Sequence, residues 1–279
     1  MTSLKRRGGD IAAIMAIAVM ALATPAYAAE SPPTAEQGAV ADSSYLPTVL
    51  VTGSDKGLGL EFVRQYAARG ARVIATTRNP ADAAELKALA VANPQVIIEK
   101  LDVTDNAAID ALAAKYAETP IDVLINNAGI SGGMQSQAFG KLDYEVFMDV
   151  LRVNTIAPLK MSEAFLPSII ASHDKRIVAV SSTEGSISMV KAARLYFMRT
   201  SKAALNMEMR NLAFQLKSKG VSVGLVNPGL VDTDFVKGLP KSMLRPPSEA
   251  VRDLLRNIDG MTVENSGSFW NYDGTLLPW

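Results

Sequence analysis

Six short, nearly unbroken apolar runs alternate with longer segments of helical periodicity, and this alternation constrains the fold of the 279-residue chain more than any other feature. The runs lie at 48–52, 72–77, 95–101, 123–126, 176–181 and 221–226, with helical patterns at 58–69, 83–92, 106–117, 144–170 and 200–219. A strand that is apolar throughout has to be covered on both faces, and strands joined through helices run parallel because the helix carries the chain back. The pattern predicts an α/β fold: one doubly wound parallel sheet of about seven strands, helices on both faces, in a single domain over residues 47–279. Ligands of such sheets bind beyond the C-terminal strand ends.

Those ends carry a distinctive series of residues. The first run closes in Thr52-Gly53-Ser54-Asp55-Lys56-Gly57-Leu58-Gly59 and passes straight into a helix. Glycines let backbone approach a pyrophosphate, and the helix start offers free N–H groups and a positive dipole end. Leu101-Asp102-Val103 ends the third run, Asn126-Asn127-Ala128-Gly129 the fourth, Ser181-Ser182 the fifth and Asn227-Pro228-Gly229 the sixth, while Asn154 lies in a long helical stretch. The second run ends Thr76-Thr77-Arg78 without a carboxylate. A carboxylate there would accept from a free ribose 2′-hydroxyl, whereas Arg78 and Lys56 suit a 2′-phosphate. NADP(H) is therefore expected in preference to NAD(H).

In this order the motifs resemble the short-chain dehydrogenase/reductase family, of Rossmann type, across residues 47–279. The ending from Gly267 through Gly274 to Pro278-Trp279 resembles its C-factor/sniffer-like carbonyl reductase branch. The resemblance implies that Gly53, Gly57 and Gly59 line the pyrophosphate, that Asp102 with Val103 meets the adenine, and that Asn127 buttresses the adenosine side. It also implies that Thr233 contacts the nicotinamide amide. Ser54, Lys56, Leu58, Arg78, Ala128, Gly129, Lys202, Pro228 and Gly229 complete the cofactor-contacting set.

The same resemblance implies catalytic positions, and one of them departs from the family. Ser182 matches the serine that hydrogen-bonds the substrate carbonyl, Asn154 the asparagine of a water relay, and Lys202 the lysine one helical turn after a proton-donating tyrosine. Met198 occupies that tyrosine's place, and a thioether has no proton to give. Tyr196 is a possible substitute only if the helix starts late, because in a regular helix it points about 200° from Met198. The family's divergent enoyl reductases pair a methionine here with a tyrosine three residues earlier, where this chain has Leu195. Two readings follow: an NADP(H)-dependent oxidoreductase of a small apolar carbonyl or enone compound with atypical acid catalysis, or a catalytically silent nucleotide-binding or regulatory relative.

The remaining composition narrows the partners. A formal net charge of zero gives no electrostatic case for nucleic acid or anionic membranes. Absence of cysteine removes disulfides, thiolate nucleophiles and Cys-based metal sites, and the only histidine, His173, reads as a surface-loop residue, so no metal site is expected. Lys5-Arg6-Arg7, the apolar run from Ile11 to Ala23 and Ala26-Tyr27-Ala28 have the pattern of a signal peptide over 1–28. That pattern predicts a periplasmic or secreted protein, free of the membrane after cleavage. Residues 29–46 read as a flexible linker. The helix after Met198 carries more apolar side chains than one core-facing stripe needs, and similar proteins associate through it, which points to a homodimer or homotetramer. The segment 235–259, expected to cover the pocket, shows Met243 and the Pro246-Pro247 pair but no charge cluster demanding a charged ligand. A small-molecule substrate is expected, its identity open.

Overall fold

The computed structural model describes residues 45–279 apart from 237 and 238; the expected signal peptide and all but the last two linker residues lie outside the described residues. Seven strands form one sheet: β1 (Thr48–Val51), β2 (Arg72–Thr77), β3 (Val96–Lys100), β4 (Val123–Asn126), β5 (Arg176–Val180), β6 (Ser222–Asn227) and β7 (Phe269–Asn271). Their order is β3-β2-β1-β4-β5-β6-β7 and every pairing is parallel. The chain winds outward from β1 in both directions, so the β1/β4 boundary is the switch point at which such sheets hold ligands. Alternate residues of β1 serve opposite cores, Val49 and Val51 in one and Leu50 in the other, as the period-2 geometry of a strand requires.

The helices are α1 (Gly57–Ala68), α2 (Ala84–Ala92), α3 (Asn106–Lys115), α4 (Tyr144–Leu151), α5 (Ala157–Ala164), α6 (Leu166–Ile170), α7 (Tyr196–Leu216) and α8 (Pro247–Asp259). The single helix expected over 144–170 is broken twice. A π-turn spans Arg152–Ile156, where the Ala157 N–H donates to the Arg152 carbonyl five residues back. Pro158 explains the widening: it has no N–H for the Asn154 carbonyl, its partner in a regular helix. Phe165 interrupts the path again, and Pro167 enters the first turn of α6. The helix expected from residue 200 starts earlier, at Tyr196, after Leu195 in a left-handed conformation (φ 52°).

Asp122, fully buried just before β4, gathers the base of the sheet. It accepts from the Thr48 N–H (2.8 Å), the His173 N–H (3.1 Å) and the Tyr45 hydroxyl (2.7 Å). Tyr45 falls inside the stretch read as a flexible linker, yet its ring also stacks on exposed His173 with centroids 3.7 Å apart. Burial and the Asp122 carboxylate raise the Tyr45 pKa, so the phenol stays a donor. Asp122→Ala strands these donors and is expected to cost roughly 2–4 kcal/mol, read from urea unfolding; Tyr45→Phe should cost less than half as much.

Candidate active site

The glycine-rich turn between β1 and α1 is shaped by contact. At Gly59 an added Cβ would lie 2.0 Å from the Gly53 carbonyl oxygen and 2.6 Å from Asn127 Nδ2, so no side chain fits. Gly53, with φ 67°, presses on Ala128 beyond β4. Asn127 secures the turn from the neighbouring strand, its Nδ2 donating to the carbonyls of Thr52 (2.8 Å) and Gly53 (3.1 Å). The N–H groups of Asn127 and Ala128 both meet the Thr52 hydroxyl at 3.0 Å. Ser54 turns its hydroxyl back to the Val51 carbonyl (2.9 Å) and Leu58 leans on the core, so both can offer a ligand only backbone. The first turn of α1 has no side-chain cap, which leaves its N–H groups free for an anion.

Two cations flank this turn. Exposed Arg78 follows β2, and Lys56 pairs with Asp234 at 2.9 Å. Asp234 raises the Lys56 pKa while the positive charge of Arg78 opposes it, which places the two cations within each other's field. Asp102, beyond β3, accepts from the Thr104 N–H (2.9 Å) and hydroxyl (2.7 Å). Desolvation works against its ionisation, but those bonds and Arg78 bring its pKa below the ordinary carboxylate value. Val103 is buried beside it.

Asn154 sits on the π-turn, fully buried. Its Oδ1 accepts from the Ile130 N–H (2.9 Å), and its Nδ2 donates to the Ile130 carbonyl (2.9 Å) and the Ser201 hydroxyl (3.0 Å). Lys202 converges on the same point: a Cβ built at Gly129 would be 3.4 Å from Asn154 Oδ1 and 3.9 Å from Lys202 Nζ. The Lys202 ammonium donates to the Val180 carbonyl at 2.8 Å, and burial alone lowers its pKa to about 8. Ser182, ending β5's extension, accepts from the Glu184 N–H at 3.1 Å; its own hydroxyl hydrogen is thereby left to donate outward.

Met198 lies one turn before Lys202 and is buried, whereas Tyr196 is 37% exposed with its ring 5.8 Å from that of Phe139. Because α7 already includes Tyr196, the late helix start on which its substitution for a tyrosine at 198 depended does not occur. Thr233 reaches the glycine turn from beyond β6, its methyl 3.3 Å from where a Gly57 Cβ would stand. The backbone around Pro228 and Gly229 is held by Arg245, which donates to the Pro228 carbonyl at 3.3 Å and stacks on Tyr272 at 3.9 Å.

Three features were not foreseen. Gln137, buried beyond β4, accepts through Oε1 from the Phe197 N–H (2.9 Å) and Met198 N–H (3.2 Å). Its Nε2 donates to the carbonyls of Ser131 and Gly133, both at 2.7 Å. It therefore supplies the cap that α7 lacks locally, from about 60 residues away in the chain. The segment 235–259 also holds an internally paired charge cluster: Arg245, Arg252 and Arg256 surround Asp253, whose side chain is 8% exposed. Its sequence spacing hides the cluster, since Arg245 joins from outside α8. Lastly, a cavity of about 300 Å³ opens between the residues that follow Ser182 and the start of α7.

A parallel doubly wound sheet with a glycine turn, a buried Asn–Lys pair and a serine at its C-terminal edge defines a nucleotide-binding oxidoreductase fold. The short chain dehydrogenase family model matches residues 47–243, and the chain belongs to that family. It is 35% identical over 237 residues to the 1-hydroxy-2-glutathionyl-2-methyl-3-butene dehydrogenase of Rhodococcus sp. strain AD45, covering 84% of this chain and 100% of that one. To the C-signal of Myxococcus xanthus it is 39% identical over 169 residues, 61% of this chain and 99% of that protein. Among solved structures, the NADPH-bound carbonyl reductase from chicken fatty liver superposes with a TM-score of 0.78 at 33% identity, covering 84% of this chain and 99% of that one.

Lys202 sets a pH window for stability. Its native pKa of about 8 lies below the 10.5 of an ordinary lysine, so between these values the unfolded chain binds more protons and stability rises with pH. Urea unfolding from pH 7.5 to 10.5 should show wild type gaining on the order of 3 kcal/mol relative to Lys202→Met. Gln137→Leu, which uncaps α7 and strands two loop carbonyls, should lower stability by about 1–3 kcal/mol, with hydrogen exchange accelerated at Phe197 and Met198.

Proposed function

We propose that the protein is an NADP(H)-dependent oxidoreductase acting on a compact, largely apolar carbonyl or enone compound, with Met198 standing where the family places its proton-donating tyrosine. The observation that carries this reading is Lys202: a buried ammonium, hydrogen-bonded among the described residues to the Val180 carbonyl and set beside Asn154 and Gly129, one turn after Met198. Keeping a charged lysine there costs stability, and a nucleotide ribose would give its remaining donors a partner.

The residues present fit the cofactor. The glycine turn has no room for a Cβ at Gly59 and presents the uncapped start of α1 to a pyrophosphate. Arg78 and Lys56, within each other's field beside the glycine turn, would supply cations to a 2′-phosphate, and the NADPH held by the chicken carbonyl reductase supports the same choice over NAD(H). Thr233 and the Pro228-Gly229 backbone would face the nicotinamide end, with Asp102 and Val103 at the adenine. Bound there, the cofactor supplies the hydride. Ser182, whose oxygen already accepts from Glu184, would donate its hydroxyl hydrogen to the substrate carbonyl oxygen. Lys202 would fix the ribose, and Asn154 would hold the backbone of Ile130 against α7. Met198 would offer apolar contact but no proton. An activated alkene asks less of a missing acid than a carbonyl does, because its proton is added at carbon and can come from water.

The exposed Met207 and Phe214 on α7 support self-association as a dimer or tetramer through that helix. The leader pattern of residues 1–28 supports export to the periplasm or beyond. Met198→Tyr is expected to raise aldehyde and ketone reduction by on the order of 10²–10⁴, while reduction of enones stays level or falls, followed by NADPH absorbance. Equal carbonyl activity in both proteins would remove Met198 from the tyrosine position. Arg78→Glu should weaken NADPH binding at least tenfold and leave NADH within a factor of two or so, measured by fluorescence titration.

A further inference from the structure

The cavity of about 300 Å³ beside the serine strand end is not neutral. Its wall includes Lys191, Arg194 and Arg199 against one acid, Glu184, with Met189 and Val190 as the apolar part. Glu184 is shared: its Oε1 accepts from Arg194 Nη2 at 2.6 Å and its Oε2 from Arg199 Nε at 2.5 Å. Arg199 is further tied to the Ala192 carbonyl through Nη1 at 2.5 Å. One carboxylate thus fixes two guanidinium groups on the cavity wall and cancels only one of their charges, and Lys191 adds a third cation.

The position matters as much as the charge. Glu184 is two residues beyond Ser182 and Arg199 one beyond Met198, so two of the charged groups on the wall are anchored in the chain next to the proposed serine and to the methionine before Lys202. Glu184 is also fixed to Ser182 by its N–H, and the neighbouring Gly185 packs on Lys202, 2.9 Å from where a Cβ would stand. A molecule whose carbonyl meets Ser182 would extend its far end along this wall. Guanidinium donors held by a shared carboxylate are pre-oriented for an oxyanion.

We infer that this cavity is an anion subsite, and that the substrate is a compact carbonyl or enone compound carrying an acidic group, a carboxylate or a phosphate monoester, at the end remote from its reacting carbon. The inference rests on the oxidoreductase reading for the placement of the carbonyl, not for the presence of the anion site. Met189 and Val190 cover the apolar body, and Lys191 and Arg194, both exposed, meet the acid at the mouth.

Calorimetric titration tests it without turnover. 4-Formylbenzoate, 4-formylphenyl phosphate and methyl 4-formylbenzoate are titrated into the NADP⁺-loaded protein, and again into the protein alone. Both anions should bind at least tenfold tighter than the neutral ester, a preference that shrinks as salt is raised. Whichever anion binds tighter names the acidic group. The double variant Lys191→Glu, Arg194→Glu, confined to an exposed loop, should lose that preference by tenfold or more while its NADPH affinity stays level. An ester that binds as well as the acids, or a preference that survives the charge reversal, overturns the proposal. A protein that binds no nicotinamide nucleotide yet prefers the acids would instead overturn the oxidoreductase reading and leave this subsite standing.

Discussion

The arrangement at the edge of the sheet depends on one buried amide. Asn154 contributes both its donor and its acceptor to Ile130 and a further donor to Ser201, all between 2.9 and 3.0 Å and out of reach of water. These bonds join the chain leaving β4 to the helix that bears Met198 and Lys202. A buried amide left half satisfied is costly, so the two elements are held in one relative register. The π-turn is what lets Asn154 face that seam, and Pro158 is the residue that makes a regular helix impossible there. A proline four residues on therefore determines where this buried amide points.

Much of the architecture was legible because it is written in local patterns. Apolar runs bounded by turn residues marked six of the seven strands to within a residue or two, and the glycine turn announced the switch-point end of β1. The seventh strand, Phe269–Asn271, is three residues long and gives no such run. The breaks in the 144–170 stretch carried a signal in Pro158 and Pro167, but amphipathic periodicity on either side masked it. The start of α7 was misplaced for a different reason. Its cap, Gln137, belongs to another part of the chain, and no local rule connects a glutamine to a helix beginning 59 residues later.

The charged wall and the Arg245–Asp253 cluster were hidden in the same way. Lys191, Arg194 and Arg199 look like ordinary surface cations in sequence, and only the fold brings Glu184 between two of them. Arg245 is separated from Pro228 and Tyr272 along the chain, yet touches both. Charge that is self-compensated in space reads as unremarkable composition along a chain with equal numbers of acids and bases. By contrast Met198 is conspicuous in the sequence, because the family resemblance at 182, 154 and 202 implies a tyrosine at that position.

The contact between Lys56 and Asp234 crosses from the glycine turn to the segment after β6, and with Thr233 against Gly57 it joins the two lips of the nucleotide cleft. Both charged partners are more than half exposed, and an ion pair of that kind is worth about 0–1 kcal/mol, close to thermal energy. A fastening of that strength can be undone by thermal motion without loosening the sheet beneath it. Its strength is set by the surrounding electrolyte, since salt screens an exposed pair of this kind and leaves the buried core beneath it untouched.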